Sequence, residues 1–468
     1  MKFVLLHVSK TFDFDIYSSQ KPSFSSALAP PLGLLYIGRS LEDEGYNVEI
    51  IDVLLENNLI DTIQKSIKFA DAIGMQVYTY GCEEAAEIAQ NIKEIDSSIP
   101  IIIGGSHPTI HPTAVLNDIP AADISVEGEG DQVIKDIARA LQGRKKISEI
   151  HGVHYRDKTT IKKGKPPKLI EDLDSIPFPS RHLVDKYEKN YGRVNNAFLF
   201  RPPVTAIATT RGCPFKCRFC SMNILKHIPV QKRYRQRSAK NVLQEICEIS
   251  DKYRSLYIVD DNFLADKKRA HEIMDNLIER GTDIELLIEG ARIDSAERDL
   301  YKKMKKAHVK YIGYGIESGN QDVLDFYNKK ITLEQIRKAI KLSNEMNFIT
   351  RGTFILGAPI ETKKHFEKTI KFACSLPLDI AVFRPLAYCP GSDLWEEAVK
   401  QGKIMQNERR VIADSARGLS TFKTKELKEF SYKAFRRFYL RPKYMIQELL
   451  KMIRSNDFRL IKVGFNYI

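Results

Sequence analysis

Three closely spaced cysteines constrain this chain more than any other feature of its sequence. Cys213, Cys217 and Cys220 lie in the run 210–220 with the spacing C-x3-C-x2-C. Thiolates hold iron–sulfur clusters, so three of them on one loop can bind three irons of a 4Fe–4S cube and leave the fourth iron open for chemistry. The alternatives are a zinc site or chance spacing. Zinc sites usually add a second cysteine pair or histidines, and this sequence has no second pair.

Length and composition narrow the class of protein. A chain of 468 residues predicts about two to four domains, and its 43% hydrophobic content excludes bulk disorder. The first ten residues are typical of a first strand and not of a signal peptide, and no apolar run approaches the length of a membrane-spanning helix. The remaining cysteines show no pairing pattern, which fits a reduced, cytoplasmic setting. They are Cys82, Cys247, Cys374 and Cys389.

The positive charge is concentrated near the end of the chain. The net charge is +13, and residues 421–468 hold twelve Lys or Arg and four Asp or Glu. Such a basic face suits anionic lipid, an acidic protein or nucleic acid, and the alternative is a solvated helical surface. Nucleic acid is not expected as a partner, because no recognised nucleic-acid module accompanies the charge.

The pattern of residues 1–145 predicts a doubly wound α/β domain with a parallel sheet. Short apolar strands alternate with amphipathic helices, and ligands bind such sheets beyond the carboxyl ends of the strands. Strands are predicted at 2–7, 47–53, 72–77 and 100–104 and helices at 32–44 and 83–95, with 113–116, 123–126 and 132–141 continuing the alternation. The loops 104–109 and 127–130 are expected at the ligand-binding edge.

Residues 146–195 interrupt the alternation and are predicted to be a linker, within which 162–168 is typical of a hairpin or linker.

The alternation of strands and helices resumes in residues 196–400, where six strand–helix units predict a partial β/α barrel. Barrel active sites lie at the carboxyl ends of strands, and Cys213 follows the first strand. Residues 401–468 are predicted to form a small basic helical segment with a break at Pro442. The six strands are predicted at 205–209, 255–259, 285–289, 311–315, 353–356 and 379–385.

Together these features resemble the cobalamin-binding radical S-adenosylmethionine enzymes, the branch of the anaerobic magnesium-protoporphyrin ester cyclase and the cobalamin-dependent radical methylases. Residues 29–36 and 45–52 are similar to the opening of that family's cobalamin domain, and Phe219 before the third cysteine matches its cluster motif. In the family, the open iron chelates S-adenosylmethionine, whose reductive cleavage yields a 5′-deoxyadenosyl radical. The resemblance implies a 4Fe–4S cluster held by the three cysteines, S-adenosylmethionine and cobalamin.

The resemblance also implies where cobalamin binds. The residues expected to contact it are Gly33, Gly105, Ser106, Glu127 and Gly128. The motif D-x-H-x-x-G, whose histidine ligates cobalt in many cobalamin proteins, is absent, as is common in this branch. Tyr78, Thr79 and Tyr80 are expected near the lower face of the corrin, with packing or loop roles as the alternative. His107 is expected to be a loop hydrogen-bond donor in preference to a cobalt ligand.

Four motifs are similar to the parts of the family that bind S-adenosylmethionine. Asp260 or Asp261, in the run D-D-N-F, is expected to accept hydrogen bonds from its ammonium group, or simply to cap a helix. Arg292 is expected to pair with its carboxylate, or to form a structural salt bridge. Glu317 and Ser318, in G-I-E-S-G, suit its ribose or amino-acid groups. Gly357 opens a G-A-P-I-E-T run, in which relatives usually have glycine at position 360.

The last barrel strand leads to two candidate catalytic residues. Tyr388 is a candidate substrate or radical-quenching residue and Cys389 a candidate hydrogen-atom donor, with core packing as the alternative for both. Residues 435–444 interleave aromatic and basic side chains, which suits contact with a membrane surface; the alternative is a helix packed on the barrel.

The predicted function is hydrogen abstraction from an unactivated carbon followed by methylation, on a lipid, small metabolite or peptide. One alternative is radical carbon–carbon bond formation or oxidative cyclisation of a lipid or tetrapyrrole. Another is a cluster-bearing sensor without turnover. The expected partners are the substrate, a low-potential electron donor such as ferredoxin or flavodoxin, and a membrane surface.

Overall fold

A computed structural model of the chain describes residues 1–8, 29–194, 197–198, 200–222, 225 and 228–455. The chain forms two compact units. The N-terminal unit comprises Met1–Asn196 with Leu225–Lys232, and the C-terminal unit comprises Ala197–Ile224 with Arg233–Ile468. The domain boundaries expected at 145, 195 and 400 stay predictions.

The N-terminal unit is built on a seven-stranded sheet in the order β2-β1-β3-β4-β5-β6-β7. Strands β1 to β5 are parallel, and β6 and β7 are antiparallel. The strands are β1 Lys2–Val8, β2 Asn47–Asp52, β3 Ala72–Val77, β4 Ile101–Gly104, β5 Ile124–Val126, β6 Val153–Asp157 and β7 Thr160–Lys163. The helices are α1 Leu32–Glu42, α2 Leu59–Ile67, α3 Cys82–Ile95, α4 Ser106–Ile110, α5 Ala114–Asp118 and α6 Gly130–Leu141.

The strand order 2-1-3-4-5 gives this unit a topological switch point beside β1. Ligands of such sheets bind beyond the carboxyl ends of the strands at that point. Two apolar cores cover the two faces of the sheet, which explains why its parallel strands read as apolar runs without strict alternation. The predicted doubly wound parallel sheet is therefore confirmed, with an antiparallel hairpin added at one edge.

Residues 113–116 continue the predicted alternation, because they belong to the start of the short helix α5. One local expectation for this unit differs from the structure. Within the range expected to be a linker, β6 and β7 form a hairpin that pairs with β5. Its turn is at Lys158, which has a φ of 54°, and lies before the 162–168 run. Strand β5 is only three residues long, and the hairpin covers the edge that it would otherwise leave open.

The C-terminal unit contains an open sheet of six parallel strands in the order β10-β13-β14-β15-β16-β17, which confirms the predicted partial barrel. These strands are β10 Val204–Ile207, β13 Ser255–Ile258, β14 Glu285–Ala291, β15 Val309–Glu317, β16 Ile349–Leu356 and β17 Ile380–Pro385. The minor strands of the chain are β8 Arg193–Val194, β9 Ala197–Phe198, β11 Thr210–Arg211, β12 Arg235–Gln236, β18 Ala387–Tyr388 and β19 Val411–Ile412.

Helices follow the barrel strands and bury one apolar face each against a single large core. They are α7 Ala239–Ser250, α8 Lys267–Arg280, α9 Arg298–Lys306, α10 Gln321–Phe326, α11 Leu333–Glu345, α12 Lys363–Ser375 and α13 Asp393–Lys400. Two further helices, α14 Thr424–Tyr439 and α15 Pro442–Ser455, complete the described chain.

The helical prediction for 401–468 is wrong for 401–423, where β19 pairs with β18 and the remaining residues form turns and loops, including one 3-10 turn at Ser415–Arg417. Pro442 does mark the break between two helices, because it is the first residue of α15, a position that tolerates a missing N–H. The residues after 455 lie outside the described part of the chain. No helix in the described part is long and apolar enough to cross a membrane.

Candidate active site

The cysteine loop begins where β10 ends and is fixed by contacts with the next barrel strand. The carboxylate of Asp260, after β13, accepts hydrogen bonds from the backbone N–H groups of Thr209 and Thr210 at 2.6 and 3.1 Å. Gly212 follows with a φ of +85°, and a Cβ there would lie 2.3 Å from the carbonyl oxygen of Arg233. Only glycine fits this position, so the path of the backbone into the cysteine motif is fixed by its close contact with Arg233.

All three cysteines of the motif are free thiols. The N–H of Cys220 donates to the carbonyl of Cys217 at 3.0 Å, which closes a tight turn between them. Burial raises the pKa of Cys213, and it raises the pKa of Cys220 to about 12; in both cases the neighbouring Cys217 and Asp261 raise it further. Bound iron would offset this penalty, because a metal deprotonates the thiols that coordinate it. This donor set fits a 4Fe–4S cluster.

Two cations lie beside the cysteine loop. The guanidinium of Arg292, after β14, is 3.6 Å from the ring centre of Phe215 and its Nη1 is 3.8 Å from Cys217 Sγ. Its Nε and Nη2 both donate to Asp294 at 3.0 Å. The structure therefore contains the salt bridge that was the alternative for Arg292. Contact between Arg292 and the carboxylate of S-adenosylmethionine stays a prediction. It would require the guanidinium to donate to that carboxylate and to Asp294 together.

The second cation forms a buried ion pair at the end of β15. Lys329 Nζ lies 2.7 Å from Glu317 Oε1, and both residues are almost fully buried. Burial lowers the pKa of Lys329, but the charges of Glu317 and Cys217 outweigh burial and raise it. Glu317 has a φ of +68°, which is strained for a residue other than glycine. The strand end is thus held in an unfavourable conformation that aims this carboxylate at Lys329.

The two aspartates after β13 have separate environments. Both oxygens of Asp260 accept hydrogen bonds, including one from Thr209 Oγ1 at 2.5 Å, so its observed role is to hold the cysteine loop. Asp261 reaches solvent, yet the protein around it removes enough hydration to raise its pKa to about 6, with a further contribution from Asp260. Of the two, Asp261 is the one available to a ligand.

Ser318 and Gly357 have structural roles in this state. The Ser318 hydroxyl is buried, 3.3 Å from Thr369 Oγ1, and accepts from the N–H of Asn320 at 3.2 Å. Gly357 has a φ of +113°, and a Cβ there would lie 2.7 Å from Leu427 of α14. Their contacts with S-adenosylmethionine stay predictions.

The loop after β16 contains a buried carboxylate that the site predictions omitted. Glu361 Oε2 accepts from the N–H groups of Gly357 and Ala358 at 2.6 and 2.8 Å, and its other oxygen is buried without a hydrogen-bond partner. Burial raises its pKa to about 7. The carboxyl is therefore protonated in the folded chain over much of the acidic pH range.

This raised pKa predicts how stability varies with pH. Between the usual value of 4.5 and about 7, the folded state binds a proton that the unfolded state has released, so stability falls as the pH rises. Glu361→Gln is expected to remove this part of the slope and to raise the urea midpoint of the C-terminal unit at about pH 8 more than at about pH 5. Glu334→Gln, which changes an exposed carboxylate on α11, is the control. An unchanged slope in Glu361→Gln would contradict the assignment.

Neither candidate catalytic residue shows a feature specific to catalysis. The Tyr388 hydroxyl donates to the carbonyl of Leu419 at 2.9 Å, and burial raises its pKa to about 12. Burial also raises the pKa of Cys389, which is partly exposed at the start of the following turn. The packing alternative describes Tyr388 well, and a catalytic role for either residue stays a prediction.

Glycines line the carboxyl edge of the N-terminal sheet. Gly105 has a φ of +110°, and a Cβ there would lie 2.9 Å from the carbonyl oxygen of Val77, at the end of β3. At Gly33 a Cβ would lie 3.1 Å from Gln76 Nε2. Gly128 has a φ of +89°, and its N–H donates to Thr109 at 3.1 Å. Gly33 and Gly105 allow their loops to approach the end of β3 closely, as a site for a large flat cofactor requires.

The other residues predicted near cobalamin divide between exposed and buried positions. Ser106 is exposed, whereas Glu127 is buried with Oε2 2.9 Å from His154 Nε2. Tyr78 and Tyr80 stack with ring centres 5.4 Å apart, and burial raises the pKa of Tyr78 to about 12. The stack lies just after β3, at the switch point. Its aromatic rings provide an apolar surface against which a corrin could pack.

His107 is fully buried, and its Nδ1 lies 3.3 Å from Thr79 Oγ1. This contact agrees with the expected loop hydrogen bond. Among the described residues, Cys82, His107 and Asp118 also place a thiol, an imidazole and a carboxylate within 4.8 Å of one another.

Thr209, Lys329 and Glu361 are the residues of this site that the sequence analysis missed. Thr209 and Glu361 each lie next to or within a recognised motif, so a search for polar residues flanking those motifs could have found them. Lys329 follows Glu317 by 12 positions, and no local signal marks it.

Comparison with known proteins agrees with this geometry. The family described as "Radical SAM superfamily" matches residues 207–373, and the family described as "B12 binding domain" matches residues 26–138. An uncharacterized methyltransferase of Pyrococcus horikoshii is 31% identical over 430 residues, which cover 90% of each chain. The anaerobic magnesium-protoporphyrin IX monomethyl ester cyclase of Rubrivivax gelatinosus is 28% identical over 433 residues, covering 89% of this chain and 75% of the cyclase.

A solved structure supports the fold. The radical S-adenosylmethionine methyltransferase TsrM of Kitasatospora setae, determined with cobalamin and a 4Fe–4S cluster bound, superimposes with a TM-score of 0.69 at 16% identity, covering 86% of this chain and 78% of TsrM. The predicted fold, family and cofactors are confirmed. The chain belongs to the cobalamin-dependent radical S-adenosylmethionine enzymes, whose cofactors are a 4Fe–4S cluster, S-adenosylmethionine and cobalamin, and its relatives support methyl transfer as its chemistry.

Proposed function

We propose that this enzyme abstracts a hydrogen atom from an unactivated carbon of a lipid, small metabolite or peptide and transfers a methyl group to that carbon. The similarity to a methyltransferase over 90% of both chains carries the proposal. When bound, the cluster supplies the electron that cleaves S-adenosylmethionine, and cobalamin supplies the methyl group. The chain itself must hold both cofactors and the substrate and exclude water.

The residues of the C-terminal unit would divide this work as follows. Cys213, Cys217 and Cys220 would hold the cluster. Arg292 and Lys329 lie beside Cys217, where their positive charges would stabilise thiolates bound to iron. Asp261, whose pKa of about 6 leaves it ionised at neutral pH, would accept hydrogen bonds from the ammonium group of S-adenosylmethionine. Asp260 would keep the loop in place.

The residues of the N-terminal unit would hold cobalamin at the carboxyl edge of the sheet. Gly33, Gly105 and Gly128 would let the loops approach the corrin, and exposed Ser106 would donate a hydrogen bond to one of its polar side groups. The tyrosine stack after β3 would pack against the macrocycle. No side chain is assigned to the lower axial position of cobalt.

The similarity to the protoporphyrin ester cyclase favours a second candidate. The same cofactors would then serve radical carbon–carbon bond formation or oxidative cyclisation of a lipid or tetrapyrrole without methyl transfer. The two candidates differ in the product, because methylation adds one carbon to the substrate whereas cyclisation removes hydrogen.

One assay separates these candidates. The enzyme is reconstituted anaerobically with iron, sulfide and hydroxocobalamin, reduced with titanium citrate and given S-adenosylmethionine. Methyl transfer predicts both 5′-deoxyadenosine and S-adenosylhomocysteine by mass spectrometry, because one S-adenosylmethionine is cleaved and a second donates its methyl group to cobalamin. Cleavage to 5′-deoxyadenosine alone, with bound cobalamin confirmed by absorption, would favour cyclisation. If neither 5′-deoxyadenosine nor S-adenosylhomocysteine forms, both candidates are contradicted and a sensor is favoured.

A reductant and a substrate are general requirements of this family. We propose that the reductant is a low-potential one-electron carrier such as ferredoxin or flavodoxin. We also propose a cytoplasmic enzyme whose basic C-terminal segment contacts a membrane surface, which would suit a lipid substrate.

A further inference from the structure

The last described helix, α15, packs on the barrel through its polar side. The Tyr444 hydroxyl donates to the carbonyl of Asp379 at 2.6 Å, and Lys451 forms an ion pair with the carboxylate of the same aspartate. Burial and the charge of Asp379 raise the pKa of Glu448 to about 8. Tyr444, Glu448 and Lys451 are spaced at i, i+4 and i+7 and therefore share one helix face. The polar face of α15 is turned toward the protein.

The opposite side of the same helix is apolar and exposed. It consists of Met445, Ile446, Leu449, Leu450 and Ile453, each between 45% and 59% exposed, and is named the apolar face below. Soluble proteins normally turn such a stripe toward their core. A contiguous patch of five large apolar side chains on one helix marks a surface that meets another apolar phase.

The aromatic residues of 435–444, which were expected to meet a membrane, pack against the protein. Phe438 of α14 is fully buried, and its ring lies 5.2 Å from that of Tyr444. The Tyr439 hydroxyl exchanges hydrogen bonds with the backbone of Ala381 in β17. These aromatics anchor α14 and α15 to the barrel, and they leave the apolar face pointing away from it.

The exposed charges on this part of α14 and on α15 are cationic. Among the described side chains from Tyr432 to Ile453, the exposed charged residues are Lys433, Arg436, Arg437 and Lys443. Lys433 and Arg437 form ion pairs with Glu367 of α12, so Arg436 and Lys443 are the two cations offered to a partner. The single carboxylate in that stretch, Glu448, belongs to the face that packs against Asp379. An apolar stripe accompanied by the free cations Arg436 and Lys443 complements a surface that is apolar inside and negative outside.

We propose that the apolar face of α15 lies in the headgroup region of a membrane that contains anionic lipids, with Arg436 and Lys443 contacting lipid headgroups. The helix would lie parallel to the membrane plane, since its polar face is held by the barrel. This inference deepens the proposed function by naming the partner of its C-terminal segment, and it rests on that function only where a lipid substrate is concerned. Membrane binding itself needs no catalysis.

Sedimentation with vesicles tests the proposal on the full chain. Vesicles of phosphatidylcholine with phosphatidylglycerol should bind the wild-type protein, and vesicles of phosphatidylcholine alone should bind it more weakly. Ile446→Glu with Leu450→Glu should lower the partition coefficient by at least about 100-fold, since each buried side chain contributes about tenfold. Arg436→Gln with Lys443→Gln should lower it by about 25-fold on the mixed vesicles only, because each cation contributes about fivefold.

Two controls keep the result interpretable. Met405→Glu alters an equally exposed apolar residue outside the helix and should bind as the wild type does. Cys217→Ala, which removes the cluster, should also bind normally, so loss of catalysis is separated from loss of membrane binding. Circular dichroism and light scattering would report the fold and the oligomeric state of each variant.

The contrary outcomes are equally specific. The proposal is overturned if the wild-type chain fails to bind mixed vesicles, or if the apolar-face variant binds them as well as the wild type. It is also overturned if that variant converts a dimer to a monomer without weakening vesicle binding, because the face would then join two copies of this chain.

Discussion

Cys217→Ala is expected to remove the iron–sulfur cluster and to abolish cleavage of S-adenosylmethionine. Two thiols remain in this variant, and two thiolates cannot hold three irons of the cube. Arg292, which lies 3.8 Å from Cys217 Sγ, would also lose its contact with that sulfur. Iron and sulfide content, visible absorption and 5′-deoxyadenosine formation should all fall to background. Cobalamin should still bind, because the N-terminal unit is a separate compact body with its own cores.

The matched control is Cys247→Ala. Cys247 lies on α7 and is partly exposed, so this variant removes a thiol from the same unit without touching the proposed cluster site. It should retain iron and activity. Full iron content with normal cleavage in Cys217→Ala would disprove the cluster assignment. Loss of cobalamin as well as iron would show that the substitution damages folding beyond the loop.

Glu317→Gln is expected to destabilise the C-terminal unit by about 3 kcal/mol, the cost of leaving one partner of a buried ion pair uncompensated. The amide keeps the size of the side chain, but Lys329 would remain charged and buried near Arg292. The urea midpoint of the C-terminal unit, followed by far-ultraviolet circular dichroism without cofactors, should fall. The same variant should bind S-adenosylmethionine more weakly if Glu317 also contacts that ligand.

A double variant tests whether the stability loss comes from the unpaired charge of Lys329. Glu317→Gln with Lys329→Met removes both charges, and it should recover more than half of the lost stability because no unpaired charge is left in the core. Lys338→Met, with an exposed lysine on α11, is the control and should have little effect. Lys329→Met is also measured alone. If the stability losses of Glu317→Gln and Lys329→Met add up to the loss of the double variant, the ion pair does not couple these residues.

The metal ligands and the overall fold could be predicted because their signals are local. The cysteine spacing lies within one loop, and the strands and helices carry their own periodicities. The helical prediction failed for 401–423, where the basic composition of the segment does not specify a helix. Few residues there carry a periodic signal, and tertiary contacts decide the structure.

The roles of the polar site residues could not be read from the motifs. Asp260 or Asp261 was expected to contact a cofactor, and in the structure the oxygens of Asp260 accept hydrogen bonds from Thr209 and Thr210, about 50 positions earlier in the chain. Ser318 was expected near a ribose, and its hydroxyl meets Thr369, 51 positions later. A motif shows which side chains a site has, whereas its satisfied hydrogen bonds show which of them are left for a ligand.

The sequence by itself determined the cofactor chemistry and the two α/β units, because ligand type, spacing and periodicity belong to neighbouring residues. Only the tertiary structure decided that Arg292 pairs with Asp294 beside Cys217, that Lys329 neutralises Glu317, and that α15 turns its polar face inward. Each of these outcomes depends on which distant groups offer a partner in a buried environment. Since burial makes an unpaired charge costly, packing selects the pairs and leaves the remaining side chains at the surface.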